Sequence, residues 1–180
     1  MRRDQIDRVS VFAFARLPLV VYLGSMLDDA YPVSIYQRHR STQGWGWPSE
    51  DAIEFDLLPA RGTPDEEAVL VLNVSGSIDA AELPVELRGL PTFEIRPAAG
   101  TPGPDTVASR ASLSVFEAAV RRLFSQIEVS HKSVRQLHVL AALPLSAAVV
   151  LGRAHDRHVH PVLAVYDRTS AGYRIALEIG

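Results

Sequence analysis

The residues in this chain that could do chemistry are cations placed where a polyanion could be gathered. Arg38 and Arg168 each end a Tyr-x-Arg triplet (Tyr36 and Arg38; Tyr166, Asp167 and Arg168), Arg40 follows the first, and Arg16 precedes the first of two Leu-Pro pairs, Leu17-Pro18 and Leu143-Pro144. Guanidinium groups hold phosphate oxygens through paired N–H donors. Each Leu-Pro pair follows an apolar run and opens an apolar periodic segment, which reads as a strand turning into a helix, because proline's missing N–H costs nothing in a first helical turn. A helix that starts beyond the carboxyl end of a strand turns free backbone N–H groups and a partial positive charge toward that space. Ser146, in the first turn after Pro144, and the small-residue turn Ser75-Gly76-Ser77 extend the set, since small residues let a phosphate approach the backbone. Trp45 and Trp47 stand in a glycine-rich loop beside Arg38 and Arg40; one is expected to cap the local core and the other to offer a stacking face. A base on an aromatic ring is worth roughly 1–3 kcal/mol. Phosphate plus base is a nucleotide.

The elements that position these residues occur twice. RLPLVVYLGSMLDDAYPVSIYQR, from Arg16 to Arg38, is a degraded copy of ALPLSAAVVLGRAHDRHVHPVLAVYDR, from Ala142 to Arg168. Both contain a Leu-Pro pair, an apolar segment ending in Leu-Gly (Leu23-Gly24, Leu151-Gly152), a proline before a β-rich run (Pro32, Pro161) and a closing Tyr-x-Arg. Pro18 to Arg38 covers 20 positions and Pro144 to Arg168 covers 24, a difference that one helical turn or a loop absorbs. Along the chain, apolar runs and periodicity predict strands at 9–15, 33–37, 53–58, 68–74, 92–96, 136–142, 162–166 and 173–179. They predict helices from Pro18 through Asp29, at 79–87 (short), over 106–127 and from Pro144 to Ala154. Alternation of strands and helices implies an α/β fold with a mixed, mostly parallel sheet. The turn-rich PAAGTPGPD divides the chain into halves, 9–100 and 101–180, within one domain over 1–180. The abrupt polar start MRRDQIDR suggests an excised domain or the trimmed end of a longer protein.

Composition narrows the alternatives. The chain has 180 residues and is 47% hydrophobic, enough for a sizeable core. Net charge is −3, so there is no global basic field for duplex DNA, and no cysteine is available for disulfides or thiol chemistry. The longest apolar stretch, 9–27, carries Arg16 and Pro18 inside it and reads as strand, turn and helix, not as a membrane span; a cytoplasmic location is expected. Walker, G-x-G-x-x-G, G-x-S-x-G and H-E-x-x-H motifs are absent. His155, His158 and His160 lack the carboxylate or cysteine spacing of a zinc site, so neither a metal nor a cofactor is expected.

The runs SVFAFARLPLVVYLG, YQRHR with WGW, and LPLSAAVVLGR with VYDRTSAGY resemble the SAVED domain, the second-messenger sensor of bacterial CBASS antiphage effectors. The resemblance covers nearly the whole chain. It implies two fused CARF-like, Rossmann-like units, in agreement with the duplication, and a cyclic oligonucleotide as ligand, most often a trinucleotide. It also implies a fused effector (nuclease, TIR or protease) switched on by ligand-driven self-association; from charge and the interrupted apolar stretch, neither a membrane nor duplex DNA is expected as partner of the sensor itself. The expected ligand-binding set is Arg16, Leu17, Pro18, Arg38, Arg40, Trp45, Trp47, Ser75, Gly76, Leu143, Pro144, Ser146, Tyr166, Asp167 and Arg168, with no catalytic residue. The alternatives are a small α/β enzyme acting on a nucleotide, ring cleavage of a cyclic oligoadenylate included, and a ligand-independent oligomerisation scaffold.

Overall fold

Both copies of the repeat fold as strand, helix and parallel strand. The computed structural model describes residues 7–27, 32–62 and 65–180; the polar start over 1–6 and the helical reading of Asp28 and Asp29 lie outside them. In the first copy, β1 (Val9–Phe12) pairs in parallel with β2 (Val33–Tyr36), Val9 opposite Val33 and Phe12 opposite Tyr36, with α1 (Leu17–Ser25) between them in sequence. β1 stops three residues short of the expected Ala15 because β2, its one sheet neighbour, is only four residues long. Ala13 to Ala15 thus leave the sheet.

The chain then builds β3 (Phe55–Arg61), β4 (Glu67–Asn73), β5 (Thr92–Pro97) and α2 (Arg110–Ser130), and the second copy follows as β6 (Gln136–Ala142), α3 (Leu145–Ala154) and β7 (Val162–Thr169), closed by β8 (Gly172–Ile179). The six later strands form one sheet in the order β3-β5-β4-β6-β7-β8, with four parallel strands at the centre and an antiparallel strand at each edge. This is the α/β class expected. β4 pairs with β6 along its whole length, so strands on both sides of the PAAGTPGPD connector share this sheet. The near-continuous apolar run of β4 follows from burial on both faces.

Two local expectations change. Residues 79–87 form two 3-10 turns, Ala80–Glu82 and Val85–Leu87, with Pro84 between them, where a ring without an N–H interrupts a continuous helix. α2 begins at Arg110, not near Thr106, because Ser109 caps it: the Ser109 hydroxyl accepts the Ser112 N–H at 2.9 Å, while Thr106 is held in a turn by the Gly103 N–H.

One face of the large sheet packs under α2 and α3, around Phe116, Leu123, Phe124 and Leu151; the other carries a smaller core of Val69, Val71, Ile78, Leu87, Leu140, Ala164 and Tyr166 beneath the 3-10 turns. α3 is buried nearly all round, packed against α1 on one side and α2 on another. The α1/α3 contact is a crossing of glycines. Gly24 and Gly152 are each the eighth residue of their helix, and a Cβ on Gly152 would lie 2.0 Å from the Val21 carbonyl oxygen, one on Gly24 2.2 Å from that of Val149. Only glycine lets the two backbones approach so closely. The Leu-Gly pairs of the sequence repeat are therefore the joint between its copies. In this register Leu17 matches Leu145, and the prolines differ in role: Pro18 lies inside the first turn of α1, whereas Pro144 is the N-cap of α3.

Candidate functional site

The middle residue of each Tyr-x-Arg triplet reaches across to the helix start of the other copy. Pro144 offers α3 no side-chain cap, and Gln37 supplies one from the first copy: its Oε1 accepts the Ser146 N–H at 3.1 Å. In the reverse direction Asp167 Oδ2 pairs with Nε of Arg16, the N-cap of α1, at 2.5 Å. This exchange brings both helix starts and both triplets to the same end of the molecule.

At that end lies a cavity of about 440 Å³. Its walls are Ala13 and Phe14 after β1, Gln37 to Arg40 with Gln43 after β2, Ser75 after β4, Leu143 to Leu145 at the passage from β6 into α3, and Pro104. The walls come from beyond the carboxyl ends of parallel strands of both sheets, the place where open α/β sheets bind ligands. Its charged lining, among the described residues, is cationic: Arg38 and Arg40. The Arg38 guanidinium donates to Gln43 Oε1 at 3.3 Å and lies 5.8 Å from the centre of the Phe14 ring; Gln43 Nε2 in turn donates to the Arg40 carbonyl at 2.7 Å. Gln43 turns the loop in a left-handed conformation, φ 56°, and the His39 N–H closes it on the Gly44 carbonyl at 2.9 Å. His39 is 1% exposed, meets Trp47 edge-on at 5.4 Å, and has no hydrogen-bond partner on either ring nitrogen among the described residues. Burial lowers its pKa, against a smaller opposing pull from Asp105, so the ring is neutral at pH 7.

Of the residues expected in the site, Arg38, Arg40, Ser75, Leu143 and Pro144 line this cavity. Ser146 adjoins it, with its N–H on Gln37 and its hydroxyl buried without a partner among the described residues. The others do not line it. Arg16 and Asp167 are paired with each other, and Leu17 and Pro18 belong to the first turn of α1. Trp45 packs edge-on to Phe12 at 5.2 Å and Trp47 against His39 and the main core, while Gly76 sits by Ala142. Tyr166 is buried on the opposite face of the sheet, its hydroxyl 3.2 Å from Nδ1 of His138, whose Nε2 meets Glu67 at 3.0 Å. Arg168 pairs with Glu82 at 2.9 Å. Sequence reasoning missed Ala13, Phe14, Gln37, His39, Gln43, Pro104 and Leu145. Gln37 was within reach, as the middle position of the first triplet opposite Asp167 of the second.

Of the three histidines at and after the end of α3, His155 and His160 have bonded rings. His160 Nδ1 accepts the Asp156 N–H at 2.9 Å and its Nε2 meets Glu128 at 3.0 Å, while its ring stacks on Phe124 at 4.1 Å; His155 Nε2 donates to the Pro161 carbonyl at 2.9 Å. Among the described residues no group of three metal-ligating side chains is assembled. These histidines border a separate cleft of about 720 Å³ at the far ends of α1 and α3.

The family model of the SMODS-associated and fused to various effectors sensor domain, SAVED, matches residues 1–179. The chain belongs to the SAVED family. Solved structures with the same fold include the Acinetobacter baumannii Cap4 SAVED/CARF-domain containing receptor with the cyclic trinucleotide 2'3'3'-cAAA, at TM-score 0.73 and 14% identity over 96% of this chain. The same receptor with 3'3'3'-cAAA gives 0.71 and 16% over 95%, and the Moraxella osloensis Cap4 receptor 0.64 and 15% over 97%. This SAVED chain spans only 38%, 38% and 37% of the length of those receptor chains. No protein of curated function matches it. Among its described residues no helix is long and apolar enough to cross a membrane.

Proposed function

We propose that this SAVED domain binds a cyclic oligonucleotide, a tri- or tetranucleotide, in the cavity between its two CARF-like units. The observation that carries the reading is the convergence of both copies on one cationic cavity at the start of α3, with Arg38 and Arg40 on its wall. The Cap4 receptors of like fold, solved with cyclic trinucleotides, support the ligand class. The cavity volume falls within the roughly 300–1,000 Å³ of small-molecule sites, and its open side leaves the rest of a ring outside. In this reading the domain acts in the cytoplasm as the sensor of an antiphage effector, whose nuclease, TIR or protease activity is released when ligand drives self-association. It binds without turnover.

A thermal-melting screen against cyclic di-, tri- and tetranucleotides tests the reading. A ligand at a hundredfold excess over its Kd adds about 2.7 kcal/mol of stability. No shift with any of them removes the sensor reading. Linear product over many turnovers turns it into that of an enzyme, and assembly indifferent to ligand into that of a scaffold.

A further inference from the structure

The two crossed contacts differ in charge. Asp167 and Arg16 form an ion pair, whereas Gln37 meets the α3 start with a neutral amide oxygen. One of the two arginines on that wall, Arg38, is likewise held by an amide oxygen, that of Gln43. At the same helix start the Ser146 hydroxyl, on a residue 0% exposed, has no hydrogen-bond partner among the described residues. Buried polar atoms are normally paired, and one left unpaired beside the N–H that Gln37 holds marks a place that can receive another group.

We propose that in the free protein Gln37 occupies the place at the start of α3 that a ligand phosphate takes, and so acts as a built-in competitor that sets the affinity of the site. The proposal rests on the cyclic-oligonucleotide reading above. An anion gains from the partial positive charge of a helix start where a neutral amide gains little, and charge-assisted hydrogen bonds are roughly twice as strong as neutral ones. A phosphate oxygen therefore displaces Gln37 from the Ser146 N–H. The same argument lets phosphate draw Arg38 away from Gln43. Until then the binding-competent fraction is reduced by the population in which Gln37 is docked, and the apparent affinity falls with it. Asp167, bound to Arg16 by charge, is the permanent counterpart of this replaceable contact.

The test measures binding of cyclic di-, tri- and tetraadenylates by calorimetry to the wild-type chain, Gln37→Ala and Gln37→Glu. Gln37→Ala should bind about three- to tenfold more tightly, the worth of one neutral hydrogen bond removed from the competing state. Gln37→Glu, whose carboxylate holds the helix start by charge, should bind more weakly than the wild type. Opposite signs in the two variants distinguish competition from a plain capping role, and tight binding by Gln37→Ala alone also supports it. If the wild type binds and Gln37→Ala binds equally or more weakly, the competitor is overturned while the sensor reading stands. If neither binds any of the three, both fall.

Discussion

The two copies of the strand-helix-strand unit share a backbone plan and differ in what surrounds them. In the glycine register, Leu23 of α1 matches Leu151 of α3; Leu23 is 41% exposed and Leu151 is 0% exposed. The same holds along that face: Leu19 and Tyr22 of α1 and Met26 at its C-cap are exposed, while Ala147, Val150 and Ala154 are buried in α3. β7 runs eight residues inside a six-stranded sheet, whereas β2 runs four in a two-stranded one. One copy is the centre of the core and the other packs on it through α1, with Val11 of β1 and Ala13 after it also buried in that core. Identical residue types at matched positions therefore carry different energetic weight, since burial and not sequence identity sets the cost of losing a side chain.

The sharpest way to break this comparison is to truncate the matched leucines. Leu151→Ala should cost about 2–5 kcal/mol, the range for a fully buried leucine, and Leu23→Ala less than about 1 kcal/mol, as for substitutions away from the core. Urea denaturation of the two variants reads this directly, and equal costs would show that the copies are equally embedded. The crossing glycines come next. Gly152→Ala and Gly24→Ala each set a Cβ against partner backbone, where no side chain can rotate away, so each should cost about 1–3 kcal/mol. Because both substitutions force apart one contact, the double variant should cost less than the sum of the singles. Full additivity would mean that the two glycines relieve separate clashes.

At the binding end the comparison is between two arginines of the same motif. Arg38 lines the cavity with, among the described residues, only a neutral glutamine as hydrogen-bonding side-chain partner, while Arg168 is paired with Glu82 and lies over Tyr173 at 5.9 Å. A hydrogen bond to a charged group is worth about 1.5–3 kcal/mol, so Arg38→Ala should weaken ligand binding by roughly ten- to a hundredfold with little change in stability. Arg168→Ala should leave affinity unchanged. Equal losses would extend the site across the sheet to the second triplet.

These contrasts explain which features are legible in the sequence. Strand and helix positions were legible because apolar spacing in β4, α2, β6 and α3 records which faces are buried, and the repeat was legible because Leu-Gly, Tyr-x-Arg and the prolines kept their order. The role of Leu-Gly was not, since a glycine in a helix looks the same whether it weakens the helix or admits a neighbour. Membership of the triplets also misled in part: Tyr166 and Arg168 share the pattern of Tyr36 and Arg38, but their side chains belong to another face of the sheet, with His138 and with Glu82. Gln37 and His39 escaped because a neutral side chain gains its importance from a partner more than a hundred positions away, in the case of Gln37, or from burial, in the case of His39. Neither leaves a local signature.

The mildest test compares two buried histidines, one just after the first copy and one within the second. His39 after β2 and His155 after α3 both have pKa values lowered from the ordinary 6.5, chiefly by burial. Below about pH 6.5 the unfolded chain takes up protons that the folded protein refuses until its own lower values are reached, so stability falls as pH drops through that interval and is flat above it. Urea midpoints measured between about pH 7.5 and pH 5 should show this decline. His39→Phe keeps a ring against Trp47 and removes one titration, which should flatten the decline without abolishing it. An unchanged slope would assign the whole effect to His155, whose Nε2 is anchored on Pro161, and would make His39 free to take a proton in the folded state.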